Sequence, residues 1–61
     1  MCLSTVYDSS RQESVIMEYV SKILVNGEQI TLTDVCGEQR TVKGSLEMVD
    51  LTGAVVKIRC A

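Results

Sequence analysis

Asn26-Gly27 sits between two apolar runs, and both of its residues tolerate a positive φ. A dipeptide of this kind between hydrophobic stretches closes a two-residue β-hairpin. The return strand is Glu28 to Asp34, with Ile30 and Leu32 inward and Thr31 and Thr33 outward. Once that hairpin is set, the other turn signals fall into a rhythm. Asp8-Ser9-Ser10, Asp34-Val35-Cys36-Gly37-Glu38 and Thr52-Gly53 punctuate the chain at intervals of roughly ten residues. Short strands at that spacing imply a mostly β domain, a small barrel or sandwich. The architecture expected is a small, strongly bent sheet of short antiparallel strands, similar to an SH3-like barrel.

The strands follow from alternation. Leu3 to Asp8 carries Leu3, Thr5 and Tyr7 on one face and Cys2, Ser4 and Val6 on the other. Gln39 to Lys43 forms a strand with Val42 on its apolar face. Gly44 separates it from Ser45 to Asp50, where Leu46 and Met48 share a face. Val55 to Arg59 closes the chain, with Val56 and Ile58 inward and Lys57 and Arg59 outward. The stretch from Glu13 to Leu24 is open to two readings. Val15, Ile16, Tyr19, Val20, Ile23 and Leu24 recur at helical spacing, and Ser10 with Glu13 matches a capping box. The many β-branched residues, stiff at the first side-chain torsion, favour a strand instead.

Size then dictates a partner. The chain has 61 residues, a single domain over 1–61, with neither Phe nor Trp to fill a core. A domain this short buries only about 60% of its unfolded surface. A core of Val, Ile, Leu and Met at this size needs a staple or a second subunit. Three isolated cysteines form no disulfide framework, so a homodimer is the expected remedy. No signal peptide is recognisable, and the expected location is cytoplasmic with reduced thiols. No run of about 18 apolar residues exists, so no membrane span is expected. Six basic residues are scattered in a chain of net charge −2, which argues against nucleic-acid binding through a basic patch.

The same inventory removes most chemistry. There is no His, hence no Cys-His or Ser-His arrangement, and the four glycines stand alone in turns without forming a phosphate loop. The chain is read as a non-enzyme. A structural zinc site needs four ligands, usually in Cys-x₂₋₄-Cys pairs, which Cys2, Cys36 and Cys60 cannot supply within one chain. Cys36 lies in a turn, and Cys60 shares the parity of Val56 and Ile58 at the margin of the core. Neither is assigned a ligand role. Cys2 differs because of Met1. The Met1 amine, the deprotonated Cys2 amide and the Cys2 thiolate can close two adjacent five-membered chelate rings on one metal ion. Nitrogen and sulfur donors in a plane suit Ni(II) or Cu(II).

Met1-Cys2-Leu3-Ser4-Thr5-Val6-Tyr7, the segment VIMEYVSKILV over 15–25, Ile30 to Val35 followed by Gly37-Glu38, and Gly44 with Met48 to Leu51 occur in an order that resembles the CooT family. These are small nickel-binding proteins linked to maturation of carbon monoxide dehydrogenase. The resemblance implies an SH3-like fold, a homodimer, and Ni(II) held through Cys2 and Met1 near the dimer axis. It further implies a cytoplasmic metallochaperone that delivers nickel to carbon monoxide dehydrogenase or another nickel enzyme. For the open stretch it favours a strand over Ser14 to Met17, one helical turn near Glu18 to Ser21, and a strand to Val25. Cys36 departs from the pattern, standing where a bulky apolar residue is expected. The alternative function is a small SH3-like interaction module that binds RNA or a protein strand along an open edge.

Overall fold

The structure, a computed structural model, describes residues 3–61; Met1 and Cys2 lie outside the described residues. Five strands follow one another: β1 (Ser4–Asp8), β2 (Ser14–Asn26), β3 (Gln29–Asp34), β4 (Gln39–Asp50) and β5 (Val55–Cys60). One turn of 3-10 helix (Ser9–Arg11) links β1 to β2. The strands close into a small barrel-like ring in sequence order. Each consecutive pair is antiparallel. A ring of five alternating strands cannot close with every pair antiparallel, so the closing pair, β1 with β5, is parallel. The mostly β, barrel-like fold expected from the turn spacing is therefore present.

Two of the strands are long. β2 has 13 residues and β4 has 12, and each serves two partners. The first half of β2 pairs with β1 and its second half with β3. β4 pairs first with β3 and then, from Gly44 onward, with β5. Bending these strands is what closes so short a chain around one core. That core is Val6, Val20, Ile30, Leu32, Val56 and Ile58, with Ile16, Met17, Ile23, Val42 and Cys60 packed around it.

Several expectations from the sequence are corrected. The hairpin loop is Gly27-Glu28, not Asn26-Gly27: Asn26 ends β2 opposite Gln29, so the return strand starts at Gln29 and the positive φ falls on Gly27. The helical turn near Glu18 to Ser21 is absent, because β2 runs unbroken through it. Three register shifts each place one extra residue in β2: Val6 pairs with Met17 but Tyr7 with Val15, Ser4 pairs with Val20, and Val20 and Lys22 face Asp34 and Thr33. Such insertions re-aim side chains. They bring Met17, Val20 and Ile23, three residues apart, to the core, which is the spacing that mimics a helix in the sequence. Tyr19, at one of these shifts, has φ 57°. The apparent capping box resolves differently too. Asp8, not Ser10, caps the short turn, and Glu13 instead pairs with Lys57 at 2.8 Å.

Gly44 does not separate two strands. It lies within β4 where the strand leaves β3 for β5, and its N–H donates to the Glu28 carbonyl at 2.8 Å. A fourth register shift, at Glu47, sets Leu46 opposite Ile58 but Met48 opposite Lys57. Ile58 is inward and Lys57 is not, so Leu46 and Met48 do not share a face.

Candidate functional site

The chemistry assigned to Met1 and Cys2 falls outside the described residues, and the structure gives the ground next to them. β1 begins at Ser4. Ser4 is opposite Val20 of β2, and Val20 is in turn opposite Asp34 of β3. On its other side Thr5 is opposite Val55, and its N–H donates to the Ala54 carbonyl at 3.0 Å. The first described residues of the chain are therefore pinned on both edges, and Leu3 is half-buried.

Two loops flank this end of the barrel, and each is built on an aspartate. Asp34 Oδ1 accepts from the N–H groups of Cys36 and Glu38, both at 2.9 Å, while Val35 N–H ties the loop to the Tyr19 carbonyl at 2.9 Å. Asp50 Oδ1 accepts from the Thr52 hydroxyl at 2.7 Å and from the N–H groups of Thr52 and Gly53. The Thr52 hydroxyl, with the Gly53 N–H, holds the Asp50 carboxyl below its ordinary pKa. Short polar side chains that bond their own turn in this way explain why the loops keep their shape. Three large apolar side chains stand out from this end: Tyr19 (63% exposed), Val35 (60%) and Leu51 (77%).

The structure separates the two cysteines it describes. Cys36 is exposed in the loop after Asp34, at the end of the barrel where β1 begins. Cys60 is half-buried at the end where β1 finishes, packed on the core margin as its parity implies. Burial, and then hydrogen bonding to Asp8, pushes the Cys60 thiol above its ordinary pKa. Among the described residues no three His, Cys, Asp or Glu side chains converge on a common metal position.

Asp8 is the residue whose setting the sequence did not disclose. Read there as a turn former, it is the one buried charged residue among those described, at 5% exposure. Its Oδ1 accepts from the Ser10 hydroxyl at 2.6 Å and the Ser10 N–H at 2.9 Å, and Arg11 Nε lies 3.9 Å from Oδ2. The Ser10 hydroxyl is the main cause that holds this carboxyl below its ordinary pKa; burial opposes it, and Cys60 assists. The only signal in the sequence was the parity that aligns Asp8 with Ser4 and Val6.

A crystal structure described as a CooT from Carboxydothermus hydrogenoformans superposes with a TM-score of 0.89 at 16% identity, over 98% of each chain. At that identity the likeness establishes the shared fold. No curated protein matches the chain. The model of the family described as "CO dehydrogenase accessory protein CooT" matches residues 1–59, nearly the whole sequence and with it the Met-Cys start. The chain therefore belongs to the CooT family of CO dehydrogenase accessory proteins.

Proposed function

We propose that this accessory protein carries Ni(II) as cargo in CO dehydrogenase maturation, holding it through the Cys2 thiolate and the nitrogen donors of Met1 and Cys2. The observation that carries this reading is the family match over residues 1–59, which includes the two residues with the donor chemistry. A carrier has to release its cargo, so a two-residue chelate open to ligand exchange serves better than a closed four-ligand cage of the structural-zinc kind. β1 supports the reading from the protein side. Its first residues are paired on both edges, so the described chain next to the donor residues is a held strand.

The same reading includes a homodimer in the cytoplasm. A core of six buried side chains is small for a free-standing domain. Tyr19, Val35 and Leu51 leave an apolar rim at the barrel end where β1 starts. A second copy that covers this rim would bring two Met-Cys segments toward one axis. The partner to which nickel passes is the enzyme under maturation, with no catalytic step in this chain.

Optical titration of the reduced protein with Ni(II) tests the assignment. Thiolate-to-nickel bands are expected in the wild type, in Cys36→Ser and in Cys60→Ser, and are expected to vanish in Cys2→Ser. Unchanged bands in Cys2→Ser would sink it.

A further inference from the structure

A cleft of about 310 Å³ opens between the end of β1, the start of β2 and the first half of β4, well away from the β1 start. Its polar wall is Asp8, Arg11, Ser14, Arg40 and Cys60, and Val42 is part of its apolar floor. Two features give it a sign. Asp8 is already engaged: one carboxylate oxygen takes both Ser10 donors, and the other faces Arg11. Arg40 is held in place by a single bond from Nη1 to the Ile16 carbonyl at 3.0 Å. Among the described residues the ion pairs are Arg11 with Asp8, Lys57 with Glu13 and Arg59 with Glu47, and Arg40 belongs to none of them.

We propose that this cleft binds a small oxyanion, a carboxylate or phosphate, between the Arg40 and Arg11 guanidiniums with the Ser14 hydroxyl as a further donor. Two guanidiniums against one carboxylate leave the cleft one positive charge in excess, in a chain whose net charge is −2. The Nε and Nη2 groups of Arg40 keep the parallel N–H pair that meets two oxygens of one anion. A fixed guanidinium loses less freedom on binding than a mobile one, and the Ile16 carbonyl supplies that fixing. A cation is disfavoured, because the carboxylate in the cleft already has its donors.

The test is an amide-resolved NMR titration of the full, nickel-free chain with inorganic phosphate and, separately, with citrate, each at constant ionic strength. Saturable shifts confined to the amides of Ser14, Ile16, Arg40 and Cys60 are expected. Phosphate alone, citrate alone, or both would each support the site and identify which oxyanion it takes. Arg40→Gln should weaken binding about tenfold or more, the scale of one charge-assisted hydrogen bond. Arg40→Lys should recover only part of it, since it restores charge but not the paired donors. Arg11→Gln alters an exposed side chain and should weaken binding in a chain that still folds; Lys22→Gln should leave it unchanged. Absence of localised, saturable shifts with either anion would overturn the proposal, as would undiminished binding in a folded Arg11→Gln/Arg40→Gln double variant.

Discussion

Gly44 lies against the backbone of Arg59, so close that a Cβ at position 44 would strike the Arg59 carbonyl oxygen and sit 2.9 Å from the Cys60 Cα. This is where β4 changes partners. The strand must pass from β3 to β5 in one residue, and the backbones approach closely enough to leave no side-chain space. Gly44→Ala is expected to destabilise the fold by about 1–3 kcal/mol, the usual cost of overpacking. In a domain of this size each 1 kcal/mol lowers the melting temperature by about 4–8 °C. Thermal melts followed by circular dichroism measure it. A melting temperature equal to wild type would show that the crossover has slack.

Acid stability should depend on Asp8 and Asp50. Both carboxyls are held below the ordinary value of 3.8, chiefly by the Ser10 and Thr52 hydroxyls respectively. A depressed carboxyl binds fewer protons folded than unfolded, so stability rises with pH through this window. The contribution is complete above 3.8 and is lost as pH falls below it through the folded value. The Asp8→Asn/Asp50→Asn variant should therefore lose less stability than wild type on acidification below that point. Urea midpoints taken in a pH series test this. Parallel curves for the two proteins would contradict it.

The two described thiols should react at different rates. Cys36 is exposed, whereas Cys60 is half-buried and its thiolate is disfavoured by burial and by Asp8. Alkylation proceeds through the thiolate at an accessible sulfur. Iodoacetamide at neutral pH should label Cys36 about tenfold or more faster than Cys60, read by peptide mass spectrometry. Asp8→Asn removes the charge that disfavours the Cys60 thiolate, so it should accelerate Cys60 alone.

Tyr19 offers a way to separate folding from assembly. It holds φ 57° in the middle of a strand and is largely exposed. A side chain at positive φ costs on the order of 1 kcal/mol, and glycine removes that cost. Tyr19→Gly should therefore leave the monomer fold intact or slightly more stable, while it removes the largest member of the apolar rim. Sedimentation velocity should show weaker self-association. Unchanged association would place the dimer contact elsewhere on the molecule.

Leu32 and Ile30 have no exposure at all. Leu32→Ala should cost about 2–5 kcal/mol, a large part of the total stability of a small domain. A chain largely unfolded at 37 °C by circular dichroism is the expected outcome.

The sequence by itself determined the turns and most of the core. Gly27, Asp34 to Glu38 and Thr52-Gly53 stand where the structure turns, because backbone conformation there is set by local side chains and by glycine, although Asn26 ends β2 opposite Gln29 and the hairpin loop is Gly27-Glu28. Alternation likewise identified Ile30, Leu32, Val56 and Ile58, since burial on one face of a regular strand leaves a period of two; for β1 it separated the two faces without showing that the one with Val6 is inward. The donor set proposed for nickel is also a matter of sequence, because Met1 and Cys2 are adjacent residues.

Tertiary structure alone decided the rest. The extra residues in β2 are accommodated only because β1 and β3 keep their own registers, so the sequence alone left this stretch open between helix and strand. Gly44 looks like a break in the sequence and is a crossover because Arg59 and Cys60, far along the chain, lie against it. The burial of Asp8 and the meeting of Arg11, Arg40 and Cys60 in one cleft depend on the closure of the ring by β1 and β5. Local sequence governs torsions within a few residues, whereas pairing across the barrel determines which of those residues share a surface.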